Sequence, residues 1–93
     1  MNNRFKNEYH PSFVTPPGET LLETLQALGW SLAEVSIRTG SSPERIGRIL
    51  RGEDPITPGM AVALERALGV PAGFWNNLER NYRVWQAKQN PDP

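Results

Sequence analysis

Ser31-Leu32-Ala33-Glu34-Val35-Ser36-Ile37-Arg38-Thr39-Gly40-Ser41-Ser42-Pro43-Glu44-Arg45-Ile46-Gly47-Arg48-Ile49-Leu50-Arg51-Gly52 is the stretch that decides the fold. It opens on Ser31 with Glu34 three residues later. That is the pattern of a capping box, in which the serine oxygen accepts a backbone N–H and the glutamate reaches back. The helix so started is expected to stop near Thr39, because Gly40 can take the left-handed backbone that ends a helix. Ser42 is the next cap, and Pro43 takes the first helical position, where its missing N–H is no loss. Ile46, Ile49 and Leu50 form the apolar stripe of the second helix, and Gly52 ends it. Two helices this short bury little surface as an antiparallel hairpin. They suit a steep crossing instead, a helix-turn-helix over residues 31–51.

Both flanks of this unit also read as helix. Pro16-Pro17-Gly18-Glu19 resembles a helix start, with Leu21, Leu22, Leu25 and Leu28 following at helical spacing until Gly29. On the other side Thr57-Pro58 repeats the cap-and-proline start. The inner face of that helix is expected to carry Ala61, Leu64 and Leu68, flanked by Met60 or Val62, with Gly69 at its end. Pro71 begins a fifth helix, in which Phe74, Trp75, Leu78, Tyr82 and Trp85 recur at helical intervals. The prediction is an all-α domain of five helices over residues 16–88. Residues 1–15 form an N-terminal arm whose Phe5, Tyr9, Phe13 and Val14 can dock on the domain, and residues 89–93 form a flexible tail.

The chain has 93 residues, 38% of them hydrophobic and 22% charged, which suits a single modest core. A core of this size gains from oligomerisation. The absence of cysteine excludes a disulfide framework and cysteine zinc sites. No apolar run has the length of about 20 residues that a membrane span needs. The polar start MNNRFKNEYH lacks a signal-peptide core, so a cytoplasmic protein is expected. Ten basic residues balance ten acidic ones. Between Ile37 and Arg51, however, stand Arg38, Arg45, Arg48 and Arg51 against Glu44 alone, a local excess of three positive charges.

In a helix-turn-helix the second helix lies in the major groove of duplex DNA with its first turns toward base edges. With Ile46, Ile49 and Leu50 turned inward, Glu44, Arg45, Gly47, Arg48 and Arg51 share the outer face. Arg45 and Arg48 are the expected base readers, since an arginine fork matches guanine O6 and N7. Glu44 can accept from cytosine N4 or order an arginine, and Gly47 lets the helix backbone approach. Ser31, Arg38, Ser41, Ser42 and Arg51 are the expected contacts to the DNA backbone. Taken alone, three arginines on a short helix read equally well as an ordinary solvated face. Ser31 and Ser42 are caps in either case, and Gly47 can be a packing concession. His10 has no partner at the spacing of a metal site or catalytic triad. The sequence shows no catalytic constellation, metal site or cofactor-binding motif, so no enzyme, metal or cofactor is expected.

The motif order also resembles a known family. Pro17-Gly18-Glu19-Thr20-Leu21-Leu22, Leu28-Gly29-Trp30-Ser31, Ala33-Glu34, Arg38-Thr39-Gly40, Ile56-Thr57-Pro58, Ala67-Leu68-Gly69 and Phe74-Trp75-Asn76-Asn77-Leu78-Glu79-Arg80-Asn81-Tyr82 are similar to HigA-type antitoxins, a branch of the Xre/Cro-like regulators. The resemblance implies a lambda-repressor-like five-helix domain and a homodimer on an operator palindrome upstream of its own operon. It also implies a partner, a small RelE-like ribonuclease toxin that the antitoxin neutralises. Leu32 departs from the family, where a glutamine commonly contacts phosphate. Ile37 stands where a polar residue is usual, and Thr39 and Ser41 replace apolar residues near the turn. Trp75, Tyr82, Val84 and Trp85 offer more apolar surface than one helix face needs and are the expected dimer contact. The alternative reading is a protein-interaction module that binds a toxin or a larger chain, with weak or no DNA binding.

Overall fold

The computed structural model describes residues 14–89. Phe5, Tyr9, His10 and Phe13 of the expected arm, and residues 90–93 of the expected tail, lie outside the described residues. Five helices follow one another among the described residues: α1 Pro17–Leu28, α2 Leu32–Thr39, α3 Pro43–Leu50, α4 Pro58–Leu68 and α5 Ala72–Gln89. The described residues contain no strand.

The helix starts follow cap chemistry. Ser31 Oγ accepts from Glu34 N–H, Ser42 Oγ from Arg45 N–H and Thr57 Oγ1 from Met60 N–H, all at 3.1 Å. Each bond satisfies one of the donors that a helix N-terminus leaves free. The reciprocal half of the capping box is absent at α2, because the Glu34 carboxylate turns forward to pair with Arg38. Gly29, Gly40 and Gly69 end their helices in the left-handed region. At α3 the cap is Arg51 in right-handed geometry, and the left-handed Gly52 comes one residue later.

The core is formed by Leu21 and Leu25 of α1, Val35 of α2, Ile46 and Ile49 of α3, Met60, Ala61 and Leu64 of α4, Trp75 of α5, and Ile56 from the α3–α4 loop. The apolar stripes are narrower than their spacing suggests. Leu22, Leu28 and Val62 lie exposed on the rims of their helices. Trp75, expected at a dimer contact, is instead fully buried in the chain's own core. Its side chain is the largest at the centre of the fold and packs edge-on to Phe74, 5.1 Å between ring centres.

Two carboxylates hold the last helix in place. Glu65 Oε1 accepts the N–H of Ala72 at 3.0 Å, which caps the start of α5. Glu79 Oε1 accepts the N–H of Ile56 at 2.9 Å, which ties the α3–α4 loop to α5. The turn between α2 and α3 is held by polar bonds. Ser36 Oγ donates to the carbonyl of Ser41, and Thr39 Oγ1 donates to the carbonyl of Val35.

Candidate nucleic-acid interface

Three residues position α3. Ile46 and Ile49 are fully buried on one side, which fixes the rotation of the helix. Gly18 fixes how closely α1 approaches its end. A Cβ there would stand 2.9 Å from the Leu50 carbonyl oxygen and closer still to that of Ile49. The opposite face of α3 is therefore presented to solvent, with Glu44, Arg48 and Arg51 exposed on it.

This face forms one wall of a shallow groove of about 430 Å³, lined by Leu32, Pro43, Glu44, Gly47, Arg48 and Arg51. The groove unites four of the expected DNA contacts, Glu44, Gly47, Arg48 and Arg51, with Pro43 and with Leu32 from the start of α2. Leu32 gives the groove an apolar lining. Arg45 stands to one side, half-buried, with Nη2 donating to Thr57 Oγ1 at 3.3 Å. Arg38 lies elsewhere. It pairs with Glu34 and stacks over the Trp30 ring, 4.5 Å from its centroid. Ser31 and Ser42 remain exposed beside their caps. Ser41 does not, because its hydroxyl is 4.0 Å from the Met60 sulfur and faces inward. Gly47 has a local role. A Cβ there would come within 3.2 Å of Arg51 Nη1, so its absence leaves room for the Arg51 guanidinium to fold back along α3.

The acids that follow α3 fold back onto its arginine face. Arg48 Nε donates to Asp54 Oδ2 at 2.8 Å. Arg51 donates from Nε and Nη2 to both oxygens of Glu53, at 3.0 and 3.2 Å. The hydrogen bonds from Arg51 hold the Glu53 carboxyl below the usual carboxylate range, and Glu53 in turn raises the Arg51 guanidinium. Sequence reasoning missed Glu53, Asp54 and Thr57 as partners of the arginine face. The available signal was their position immediately after α3, within reach of long side chains.

An exposed arginine-bearing helix, seated on a preceding short helix by a capped turn, defines the helix-turn-helix class. Residues 21–75, more than half of the chain, match the helix-turn-helix family of Xre-like domains, and the chain belongs to that family. Among curated relatives, the chain is similar to an uncharacterised helix-turn-helix-type transcriptional regulator of Escherichia coli, YddM. Identity is 30% over 76 residues, covering 82% of this chain and 81% of the relative. Among solved structures it is similar to an addiction module antidote protein of the HigA family from Coxiella burnetii, with a TM-score of 0.78, 30% identity, and coverage of 81% and 83%. It is also similar to the antitoxin HigA of Pseudomonas aeruginosa, solved with the higBA promoter. There the TM-score is 0.77 and identity 30%, again with coverage of 81% and 83%. No helix among the described residues is long and apolar enough to cross a membrane.

Proposed function

We propose that this protein is a sequence-specific DNA-binding repressor and the antitoxin of a type II toxin–antitoxin module. The observation that carries the reading is the seating of α3: its isoleucines are locked in the core while its arginine side faces solvent along an open groove. The family membership and the HigA relative solved with promoter DNA support it. In this reading α3 enters the major groove. Arg45 and Arg48 take guanine edges, Glu44 and Gly47 line the same approach, and Ser31, Ser42, Arg51 and the amide ends of α2 and α3 meet phosphates. A homodimer would set two copies of α3 about one helical turn apart, roughly 34 Å, on an operator palindrome. The protein would repress its own operon and neutralise a small RelE-like ribonuclease toxin.

The test is binding to the duplex upstream of the protein's own reading frame. Replacing Arg45 or Arg48 with alanine is expected to weaken operator binding by about 1–3 kcal/mol each. Unchanged binding by the double variant would overturn the assignment. The second reading, a protein-interaction module with weak or no DNA binding, is favoured by the ion pairs already satisfying Arg48 and Arg51. Salt discriminates between the two. Operator binding should fall steeply with ionic strength as phosphate contacts release counterions, whereas a toxin contact through an apolar surface should change little.

A further inference from the structure

An arginine on a DNA-facing helix has two possible uses. It can meet a phosphate, which carries no sequence information, or it can meet a guanine edge, which does. Non-specific binding is essentially all of the first kind. A surface built to discriminate therefore benefits when its arginines are poor at the first and good at the second.

Arg45 and Arg48 of α3 and Arg51 at its cap are all held by protein partners. Arg48 is held by Asp54, Arg51 by Glu53 and Arg45 by Thr57. These partners are anchored. The backbone N–H groups of Glu53 and Asp54 both donate to the Arg48 carbonyl, at 2.8 and 3.3 Å. Two residues on, Ile56 is buried and its N–H is bound by Glu79. The loop is thus pinned at both sides of the carboxylates, so they stand beside the arginines without a large loss of chain freedom. Counting Arg45, Arg48 and Arg51 against Glu44, Glu53 and Asp54, the face has no net charge.

We infer that Asp54 and Glu53 are specificity-setting residues of this surface: they occupy Arg48 and Arg51 and so weaken binding to duplex DNA of arbitrary sequence. The inference rests on the DNA-binding reading above. An incoming phosphate must displace a carboxylate and then remain next to its negative charge. A guanine edge carries no formal charge and meets no such repulsion. The Arg48 contact engages Nε, which leaves the Nη edge of its five-donor fork to reach a base, whereas Arg51 is engaged through both Nε and Nη2. Asp54 thereby orients a reader, and Glu53 restrains Arg51, whose phosphate contact then forms only where base contacts of α3 offset the displaced carboxylate.

The experiment measures affinity of wild type, D54N, E53Q and the double variant for two probes. One is a short duplex of scrambled sequence, and the other is the duplex that the wild type enriches from a random pool. E23Q, on the exposed side of α1, makes the same change of net charge as either single variant. The double variant is expected to bind the scrambled duplex about tenfold more tightly, the scale of two exposed ion pairs. Its salt dependence should steepen by about 0.9 in log–log slope for each freed arginine that takes a phosphate. The enriched duplex should gain less, so the ratio of the two affinities falls. E23Q should leave the ratio unchanged. The side chains of both acids are partly exposed, and E53Q alone suffices if D54N lowers the melting temperature. An unchanged ratio in the variants, or an equal fall with E23Q, overturns the inference and leaves DNA binding intact. Failure of the wild type to bind either duplex overturns the DNA-binding reading and this inference with it.

Discussion

Gly18 shows how one missing methyl group sets the position of a helix. It lies in the first turn of α1, and the space where its side chain would go is filled by the last carbonyl groups of α3. Alanine there cannot be accommodated by a rotamer change, because the obstacle is backbone. G18A is expected to push α1 off α3 and cost about 1–3 kcal/mol, the range for overpacking. A domain of this size should then melt about 4–8 °C lower for each kcal/mol lost. G47A is the contrast in the same melting experiment, since its methyl meets only the far end of a long side chain, Arg51, which can shift by a few tenths of an ångström, and its melting temperature should hold or rise. If G18A melts like the wild type, the contact does not limit the approach of α1. The sequence drew attention to Gly47, which interrupts a helix with visible periodicity. Nothing local marks Gly18, because its clash partners come from a distant part of the chain. The same physics hid Glu53 and Asp54: the outer face of α3 was legible from helical spacing, but its partners depend on how a loop turns back.

At the scale of the element, α3 is too short to persist as an isolated helix. It exists because Ser42 caps its start, Pro43 presets its first turn and two isoleucines anchor one side. These features were readable because caps and stripes are local. Less readable was the width of each stripe, which depends on neighbours, so Leu22, Leu28 and Val62 are exposed despite helical spacing. Ser42 has two candidate duties, cap and phosphate contact, and substitution separates them. S42A is expected to cost about 1 kcal/mol through the lost cap. S42D keeps an acceptor for the Arg45 N–H and should restore the melting temperature. If Ser42 also meets phosphate, S42D should bind DNA more weakly than the wild type despite its restored stability, because the aspartate repels the backbone. Equal DNA affinity in S42D and the wild type would confine Ser42 to capping.

For the whole molecule the open question is what α5 does beyond the core. Its fully buried side chain is Trp75, close to its start. From there the helix continues through Leu78 and Glu79, half-buried, to Tyr82 and Trp85, whose rings stack 5.9 Å apart, and to Val84, 49% exposed. An 18-residue helix is about 27 Å long, more than the packing around Trp75 requires. The structure thus divides the apolar set that the sequence assigned to a dimer: Trp75 serves the monomer, and Tyr82, Val84 and Trp85 remain as the proposed contact. A two-fold contact repeats each residue on both subunits, so one new charge there is placed twice and opposes itself. W85E and V84E are therefore expected to convert a dimer to monomers in light scattering, with helix content by circular dichroism unchanged. On a palindromic operator each monomer would then hold one half-site, and affinity should fall far more than for a change on the rim of the DNA surface. A W85E protein that stays dimeric with undiminished stability would place the dimer contact elsewhere, and the exposed Ile37 on α2, 78% accessible, is the next surface to substitute.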